Sequence, residues 1–398
     1  MASSTPAFVE PSVLRWARES ISLTPVAAAR RMQVPDTRVI EWETGAARPT
    51  IAQLRKAATV YKRPLAVFFL PAPPDGFDAM RDFRRHQDAS VGAWSPELHG
   101  EYRRALTQHD HVIELAEIEE APPSTAWRIS ELPEDDEEIA AVARHRLLSN
   151  APLPLPTRVG TPYDHLNAWV AAIEEAGVLV LATERGGVST DEMRAFSLYF
   201  DAVPVIMVNG SDGARGRLFS LAHEYAHLLL HTAGLCDTVT DTRTTSPDRR
   251  LEARCNAVAA AMLMPSSDVL AQPEVAARQH TSAAWDYDAL RETAAPFGVS
   301  AEAFLRRLVT LRRVPLNFYQ ARREEFVAVY EEEESRTRPS GGNWYRTKAR
   351  DLGKWFVRRV ADAHQRRVID SYTAASFLNV KVGQIPRLAQ EATLRAQT

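Results

Sequence analysis

Two histidines and a glutamate, His223, Glu224 and His227, form an HExxH pattern inside an apolar run of the sequence. At 3.6 residues per helical turn, His223 and His227 lie one above the other on a single helix face, where both imidazoles can bind one cation. Glu224 is angled towards the open side of that cation. This arrangement is typical of zinc hydrolases.

A catalytic zinc takes three protein ligands, so two histidines require one more donor. Glu252, which follows His227 by 25 residues, is the candidate. Residues 250–264 contain no Gly or Pro, which predicts Glu252 in the first turn of a second helix, antiparallel to the first. Asn256 falls on the same face and is predicted to orient a ligand imidazole by a hydrogen bond.

Glu224 is too close in sequence to the two histidines to share their coordination. It is therefore the predicted general base for a water whose pKa the cation lowers, and the implied reaction is hydrolysis of an amide bond. His231, one turn beyond His227, lies about 6 Å further along the helix and is predicted to be structural. Cys236 and Cys255 are predicted to be unpaired.

An apolar run at residues 203–208 precedes the HExxH segment and is predicted to be a strand. Pro204 near its start favours an edge position. An extended substrate peptide could then pair with this strand through its backbone.

The chain has 398 residues, 45% hydrophobic composition and a formal net charge of −3, which favours two or three globular domains. It has no apolar run of about 18 residues and no secretory signal at its start, so no membrane partner is expected. Two cysteines argue against a disulfide framework and favour a cytoplasmic location.

The sequence predicts an α+β fold that is mainly helical, in four parts. They are a helix-turn-helix domain at 1–70, a helical linker region at 71–150, a domain with the HExxH motif and a small sheet at 151–315, and a helical C-terminal domain at 316–398. No internal repeat is visible.

The first part alternates short amphipathic helices with tight turns. Thr24 and Pro25 are a predicted N-cap and first residue of one helix, Asp36 is predicted to cap the next helix over residues 37–42, and Gly45 is predicted to end it. That order is a helix-turn-helix. The buried positions are predicted to include Trp42 and Leu54.

The second helix of such a motif enters the major groove with its early residues at the base edges. Those residues are Thr37, Arg38 and Glu41, and Arg48 and Lys56 are available for phosphates. Ten basic against five acidic side chains between residues 10 and 65 favour DNA binding. The alternative is a small bundle that docks a protein partner or the catalytic domain.

Longer motifs carry a resemblance to two known families. Val39-Ile-Glu-Trp-Glu-Thr-Gly and the following Arg48-Pro-Thr-Ile-Ala-Gln-Leu make residues 12–65 similar to the Xre/Cro helix-turn-helix domains. Residues 150–310 resemble the ImmA/IrrE metallopeptidases through Glu192-Met-Arg-Ala-Phe, the segment around HExxH and the stretch from Glu252 to Pro265.

The resemblance implies a five-helix-type helix-turn-helix domain and a zincin-like peptidase domain. It implies that His223, His227 and Glu252 bind the metal and that Glu224 is the catalytic acid/base. The implied substrate is a transcriptional repressor, often of the same Xre type, whose cleavage turns on stress-response or mobile-element genes. Similar fused proteins also resemble antitoxins, which adds a cognate toxin to the candidate partners.

Two hypotheses follow. The first is a cytoplasmic endopeptidase that uses Zn²⁺, or alternatively Mn²⁺, and that its helix-turn-helix domain directs to a repressor bound at its DNA operator. The second is a helix-turn-helix regulator or antitoxin whose metal site is sensory or structural and whose C-terminal half binds a partner protein. Both hypotheses are compatible with a homodimer.

Overall fold

The computed structural model describes residues 6–74, 94–149, 151–152, 155, 160–184, 186–230, 234–235, 247–278, 285–337 and 343–393. The chain divides into two compact units, residues 1–106 and 107–398. The fold is mainly helical with one small sheet, as predicted. The division into four parts at residues 70, 150 and 315 stays a prediction.

The first unit is built from four short helices, a 3₁₀ turn at Leu65–Phe69 and the start of a longer helix. The helices are α1 (Pro11–Glu19), α2 (Pro25–Met32), α3 (Arg38–Glu43), α4 (Ile51–Val60) and α5 (Pro96–Ile118), within which the boundary between the two units falls. Trp42 and Leu54 are buried in the core of this unit, as predicted.

The helix-turn-helix consists of α2 and α3. The Thr24 hydroxyl accepts a hydrogen bond from the backbone N–H of Ala27 at 3.2 Å and caps α2, and Gln33 ends that helix in the left-handed conformation at φ 59°. The prediction that Asp36 caps α3 is wrong. The N-cap is Thr37, which has helical backbone angles and makes no capping bond with its side chain.

A buried ion pair joins α1 to α3. The Arg18 guanidinium donates to both carboxylate oxygens of Glu43, at 2.7 and 2.8 Å, and to the carbonyl of Leu23 at 2.7 Å. Burying two charges is costly even when they are paired, and removing one partner would leave the other charge unpaired at a higher cost. The pair therefore links the two helices.

The second unit contains the sheet and the remaining helices. The helices are α6 (Asp136–Ser149), α7 (Pro162–Glu175), α8 (Ala214–Leu229), α9 (Pro247–Leu263), α10 (Ser266–Leu270), α11 (Pro273–Ala277), α12 (Tyr287–Ala294), α13 (Ala301–Thr310), α14 (Leu316–Thr337), α15 (Trp344–Leu352), α16 (Lys354–Gln365), α17 (Ser371–Leu378) and α18 (Ile385–Thr393), with 3₁₀ turns at Ala295–Phe297 and Val382–Gln384. No helix of the described chain is long and apolar enough to cross a membrane.

The sheet has the strands β1 (Leu179–Ala182), β2 (Ala195–Leu198), β3 (Val205–Val208) and β4 (Gly234–Leu235), in the order β1-β3-β2-β4. β3 pairs in parallel with β1 and antiparallel with β2, and β4 pairs antiparallel with β2. The edge position predicted for residues 203–208 is wrong, because β3 lies inside the sheet. Pro204 immediately precedes the strand, where its missing N–H leaves no ladder bond unmade.

Helix α8 lies against the sheet and forms the centre of the second unit. It contacts β2 and β3 on one side and α7 and α9 on others. All residues of β1, β2 and β3 are buried, so both faces of these strands are covered. The helix that carries the HExxH motif is therefore held from several directions.

The C-terminal helices α15 to α18 pack against one another, and α15 also contacts β1. Gly353, between α15 and α16, has φ +82°, and a Cβ atom built on it would lie 2.6 Å from the carbonyl oxygen of Val180. Only glycine allows the chain to approach the strand this closely.

Candidate metal centre

A polar turn between β3 and α8 sets the position of the HExxH helix. The buried Asn209 side chain donates to the carbonyls of Val188 and Met193, at 3.2 and 2.7 Å, and its oxygen accepts from the backbone N–H of Ser211 at 2.8 Å. Gly210 follows, and a Cβ atom there would lie 2.2 Å from the carbonyl oxygen of Thr183. The turn is thus fixed before α8 begins at Ala214.

The three predicted ligands come together. The Nε2 atoms of His223 and His227 are 2.9 Å apart, and each lies 3.3 Å from an oxygen of Glu252. The two histidines come from α8 and Glu252 comes from α9, which packs beside it. Glu252 lies in the second turn of α9 and not in the first, because that helix begins at Pro247.

Asn256 contacts His223 as predicted. Its Oδ1 lies 3.0 Å from the Nδ1 of His223. A carbonyl oxygen can only accept, so Nδ1 carries the proton and donates it, and the lone pair of Nε2 faces the cluster. That is the tautomer a metal requires of this imidazole.

Cys255 is a contact that the sequence reasoning missed. Its buried, free thiol makes a hydrogen-bond contact with the His227 imidazole. Two successive residues of α9 therefore support the two ligand histidines, Asn256 against His223 and Cys255 against His227. The signal available in the sequence was their position three and four residues after Glu252.

The cluster is strongly polarised. Burial raises the pKa of Glu252, but hydrogen bonds from His223 and His227 outweigh burial and hold that pKa well below its usual range. Burial lowers the pKa of His227, while contacts with Cys255 and Glu252 and the charge of Glu224 raise it more strongly. Two carboxylates therefore face two imidazoles at this cluster, where both histidines and Glu224 are buried.

Glu224 is fully buried beside this cluster. Within the described residues neither of its oxygens has a hydrogen-bond partner of normal geometry. Burial raises the pKa of its carboxyl, and the charges of His227 and His223 and the nearby Ser197 hydroxyl act in the opposite direction. Buried carboxylates normally have hydrogen-bond partners, which marks Glu224 within the described residues as a candidate functional group.

These residues fit a divalent cation. One atom from each of His223, His227 and Glu252 lies within 4.8 Å of the others, and all three are donors that zinc prefers. A bound cation would supply Lewis-acid polarisation of a carbonyl and would lower the pKa of water towards neutrality. Three protein ligands leave a position open, as in catalytic zinc sites.

Family models match the two regions that carry these features. Residues 173–309 match a peptidase model described as the IrrE N-terminal-like domain, and residues 14–68 match the helix-turn-helix model. The chain joins a helix-turn-helix domain to an IrrE N-terminal-like peptidase domain. A comparison with curated proteins finds no significant match.

The IrrE N-terminal-like domain includes β1 to β4 and helices α8 to α13. Ser197, which lies on β2 of this domain, is a second residue that the sequence reasoning missed. It is buried and sits beside Glu224 although 27 residues separate the two in sequence. His231, predicted to be structural, and Cys236, predicted to be unpaired, lie outside the described residues.

In the helix-turn-helix domain, the predicted DNA-contact residues of α3 hold one another. The Thr37 hydroxyl and an Arg38 nitrogen each lie 3.1 Å from an oxygen of Glu41. Arg48 lies over the Phe8 ring at 4.4 Å, and Lys56 donates to the carbonyl of Met32 at 3.3 Å. Contact of these residues with DNA stays a prediction.

Proposed function

We propose that this chain is a cytoplasmic, zinc-dependent endopeptidase and DNA-binding regulator that cleaves a repressor-type protein. The observation that carries the proposal is the cluster of His223, His227 and Glu252 with the buried carboxylate of Glu224 beside it, whose oxygens have no hydrogen-bond partner of normal geometry among the described residues. The helix-turn-helix domain then brings the peptidase to DNA where a repressor is bound. A stress or mobile-element response fits that arrangement.

Glu224 is the general base in this scheme. Its carboxylate takes a proton from water as the water oxygen attacks the carbonyl carbon of the substrate. It then gives that proton to the leaving nitrogen as the C–N bond breaks. Burial favours this exchange, because it raises the pKa of the carboxyl and thereby strengthens it as a base.

The donor set supports an enzyme over a purely structural site. Structural zinc takes four protein ligands in most proteins, whereas three ligands come together here among the described residues. A structural site would also have no use for a second, fully buried carboxylate at Glu224. Elemental analysis of the purified protein would identify the metal. Manganese is the alternative to zinc.

The test compares wild type with Glu224→Gln in the native host. New protein N-termini are mapped across the proteome under DNA damage and under metal stress. The variant keeps the three ligands, so it should hold the same metal content while it loses the base. A new N-terminus in wild type alone would identify both the substrate and the cleaved bond.

The absence of a new N-terminus would contradict the peptidase proposal. If metal is bound in both proteins and no N-terminus differs between them, the peptidase proposal fails and a regulator or antitoxin with a non-proteolytic metal site takes its place. A gel shift with the promoter DNA of the gene that encodes this chain then measures the DNA-binding function by itself, with Arg38→Ala for comparison.

A further inference from the structure

The helices α16, α17 and α18 repeat the arrangement of α1, α2 and α3. Helix α1 ends at Glu19 and α16 ends at Gln365, 346 residues later. Helices α2 and α17 both have eight residues, and they end at Met32 and Leu378 with the same offset of 346. The ends of the first two helices of each segment therefore correspond without insertion or deletion.

The caps of the paired helices also correspond. The side chain of Thr24 accepts from the backbone N–H three residues later, and the side chain of Asp370 does the same. Nine residues after each cap, Gln33 and Asn379 have left-handed φ values of 59° and 48°. A capped helix of equal length thus ends in the same turn conformation in both places.

The turns that follow are closed by the same hydrogen bond. The N–H of Val34 donates to the carbonyl of Ala29 at 3.0 Å, and the N–H of Val380 donates to the carbonyl of Ala375 at 3.0 Å. This bond is the long-range closure of a helix end at a left-handed residue. It directs the chain into the third helix of each set.

Core positions coincide as well. At each of seven positions both members of the pair are buried. The pairs are Leu14 and Val360, Ala17 and Ala363, Leu23 and Ile369, Ala28 and Ala374, Met32 and Leu378, Val39 and Ile385, and Trp42 and Leu388. The C-terminal segment therefore has the helix arrangement of a helix-turn-helix, a structural correspondence that is not visible as a repeat in the sequence.

The C-terminal segment carries a positive surplus, as the first motif does. Residues 343–393 contain ten Lys and Arg residues against four Asp and Glu residues, while the whole chain has a net charge of −3. Each of the four acids already has a role. Asp351 pairs with Arg350, Asp362 with Arg366 and Glu391 with Arg346, and Asp370 is the cap described above.

The exposed side of the second motif is suited to phosphates and base edges. By the offset of 346, Thr37, Arg38 and Glu41 correspond to Gly383, Gln384 and Arg387. Glu41 places a negative charge on the first motif, whereas Arg387 places a positive charge on the second. Lys381 adds another exposed cation at the start of the turn.

Two details leave this surface ready for a ligand. A Cβ atom on Gly383 would meet no heavy atom within 4 Å, so a partner can approach the backbone closely there. The Arg387 guanidinium lies over the Tyr345 ring at 4.5 Å. This contact already restricts the Arg387 side chain, so less conformational entropy is lost when it binds a ligand. Gln384 accepts from the N–H of Lys381 at 2.9 Å and fixes the turn.

We propose that residues 354–393 form a second DNA-binding motif, which contacts duplex DNA through Lys381, Gly383 and Arg387. The positive surplus argues for a polyanion, and the helix-turn-helix geometry argues for a duplex groove. The chain would then contact an operator at two places. Linked binding modules of this kind reach a higher joint affinity than either alone.

The test uses the full chain. Duplexes are selected from a random library with wild type, and their affinity is measured by fluorescence anisotropy over a range of salt concentrations. We expect Lys381→Glu with Arg387→Glu to weaken binding at least about tenfold and to reduce the slope of log affinity against log salt by about 2. Selection with this variant should also enrich a shorter sequence motif.

The matched control changes the same charge elsewhere. Arg291→Glu with Arg323→Glu alters exposed residues of α12 and α14 and should leave the slope close to that of wild type. Gly383→Glu adds a side chain in open space, so it should fold and yet weaken DNA binding. An Arg38→Glu background separates the two motifs, because the effect of the Lys381 and Arg387 changes should persist in it.

The double variant Lys381→Glu with Arg387→Glu and the single variant Gly383→Glu are checked for folding by circular dichroism. The proposal is overturned if both are folded and bind the selected duplex with the affinity and salt slope of wild type. Unchanged DNA affinity together with lost self-association in sedimentation would overturn it in favour of a protein contact. Failure of wild type to retain any duplex also overturns it. None of these results bears on the peptidase proposal, which Glu224→Gln tests separately.

Discussion

The amide of Asn256 determines which nitrogen of His223 faces the metal cluster. Because its oxygen accepts from Nδ1 at 3.0 Å, Asn256→Ala should free the imidazole to change tautomer and rotate. We expect zinc affinity to fall about 10- to 100-fold, measured by competition with a chromophoric chelator. Asn256→Asp keeps an acceptor and should retain most of the affinity.

Asn317→Ala is the control, since Asn317 is an exposed residue of α14. Equal zinc affinity in wild type and Asn256→Ala would show that the hydrogen bond does not support His223.

The ligands and the base were predictable from sequence because they depend on local spacing. His223, Glu224 and His227 share one helix, and Glu252 was reachable from the need for a third donor. Ser197 was not predictable in the same way. Its position beside Glu224 depends on how β2 packs against α8, and no local pattern encodes that packing.

At the scale of elements, the turn between β3 and α8 controls the site. A Cβ atom at Gly210 would lie 2.2 Å from the carbonyl oxygen of Thr183, so Gly210→Ala must shift the turn that starts the HExxH helix. We expect a loss of about 1 to 3 kcal/mol in the free energy of unfolding, measured with urea, and reduced zinc content.

Gly383→Ala is the matched control for this change, because its Cβ would meet no heavy atom within 4 Å. Replacing glycine by alanine at an unstrained position lowers the entropy of the unfolded chain, so Gly383→Ala should not lose stability. A loss of equal size in both variants would show that the close approach to Thr183 does not account for the effect.

The helices were easier to predict than the sheet order. Caps such as Thr24 and breaks such as Gly45 lie within the segments they end. The place of β3 between β1 and β2 depends on a parallel pairing with a strand more than 20 residues upstream. The correspondence of α16 to α18 with α1 to α3 is not visible in the sequence, because different residues fill equivalent positions, as Trp42 and Leu388 do.

For the whole molecule, the pH dependence of stability should depend on Glu174. Its carboxylate is fully buried at the end of α7 and accepts from the N–H of Trp355 at the start of α16. Burial raises its pKa from 4.5 to about 7, although Arg358 and Lys354 oppose the shift. The folded state therefore keeps a proton that the unfolded chain releases above about pH 4.5.

The stability of the folded state therefore falls as pH rises. The contribution of Glu174 to stability is complete below about pH 4.5 and is lost as pH rises to about 7. Glu174→Gln cannot ionise and should flatten this slope, with wild type losing about 1 to 3 kcal/mol more than the variant between pH 5 and pH 8. Urea unfolding at several pH values measures it, and parallel slopes would contradict the assignment.

The close approach of Gly353 to Val180 also prevents self-association of the protein through the edge of its sheet. An unpaired edge strand offers backbone donors and acceptors to any other chain with a free edge, and all four residues of β1 are aliphatic. Here α15 contacts β1 and Gly353 brings the backbone against that strand. Loss of the C-terminal helices would uncover an adhesive edge, so a truncated chain should aggregate through strand-to-strand association even while its metal ligands are intact.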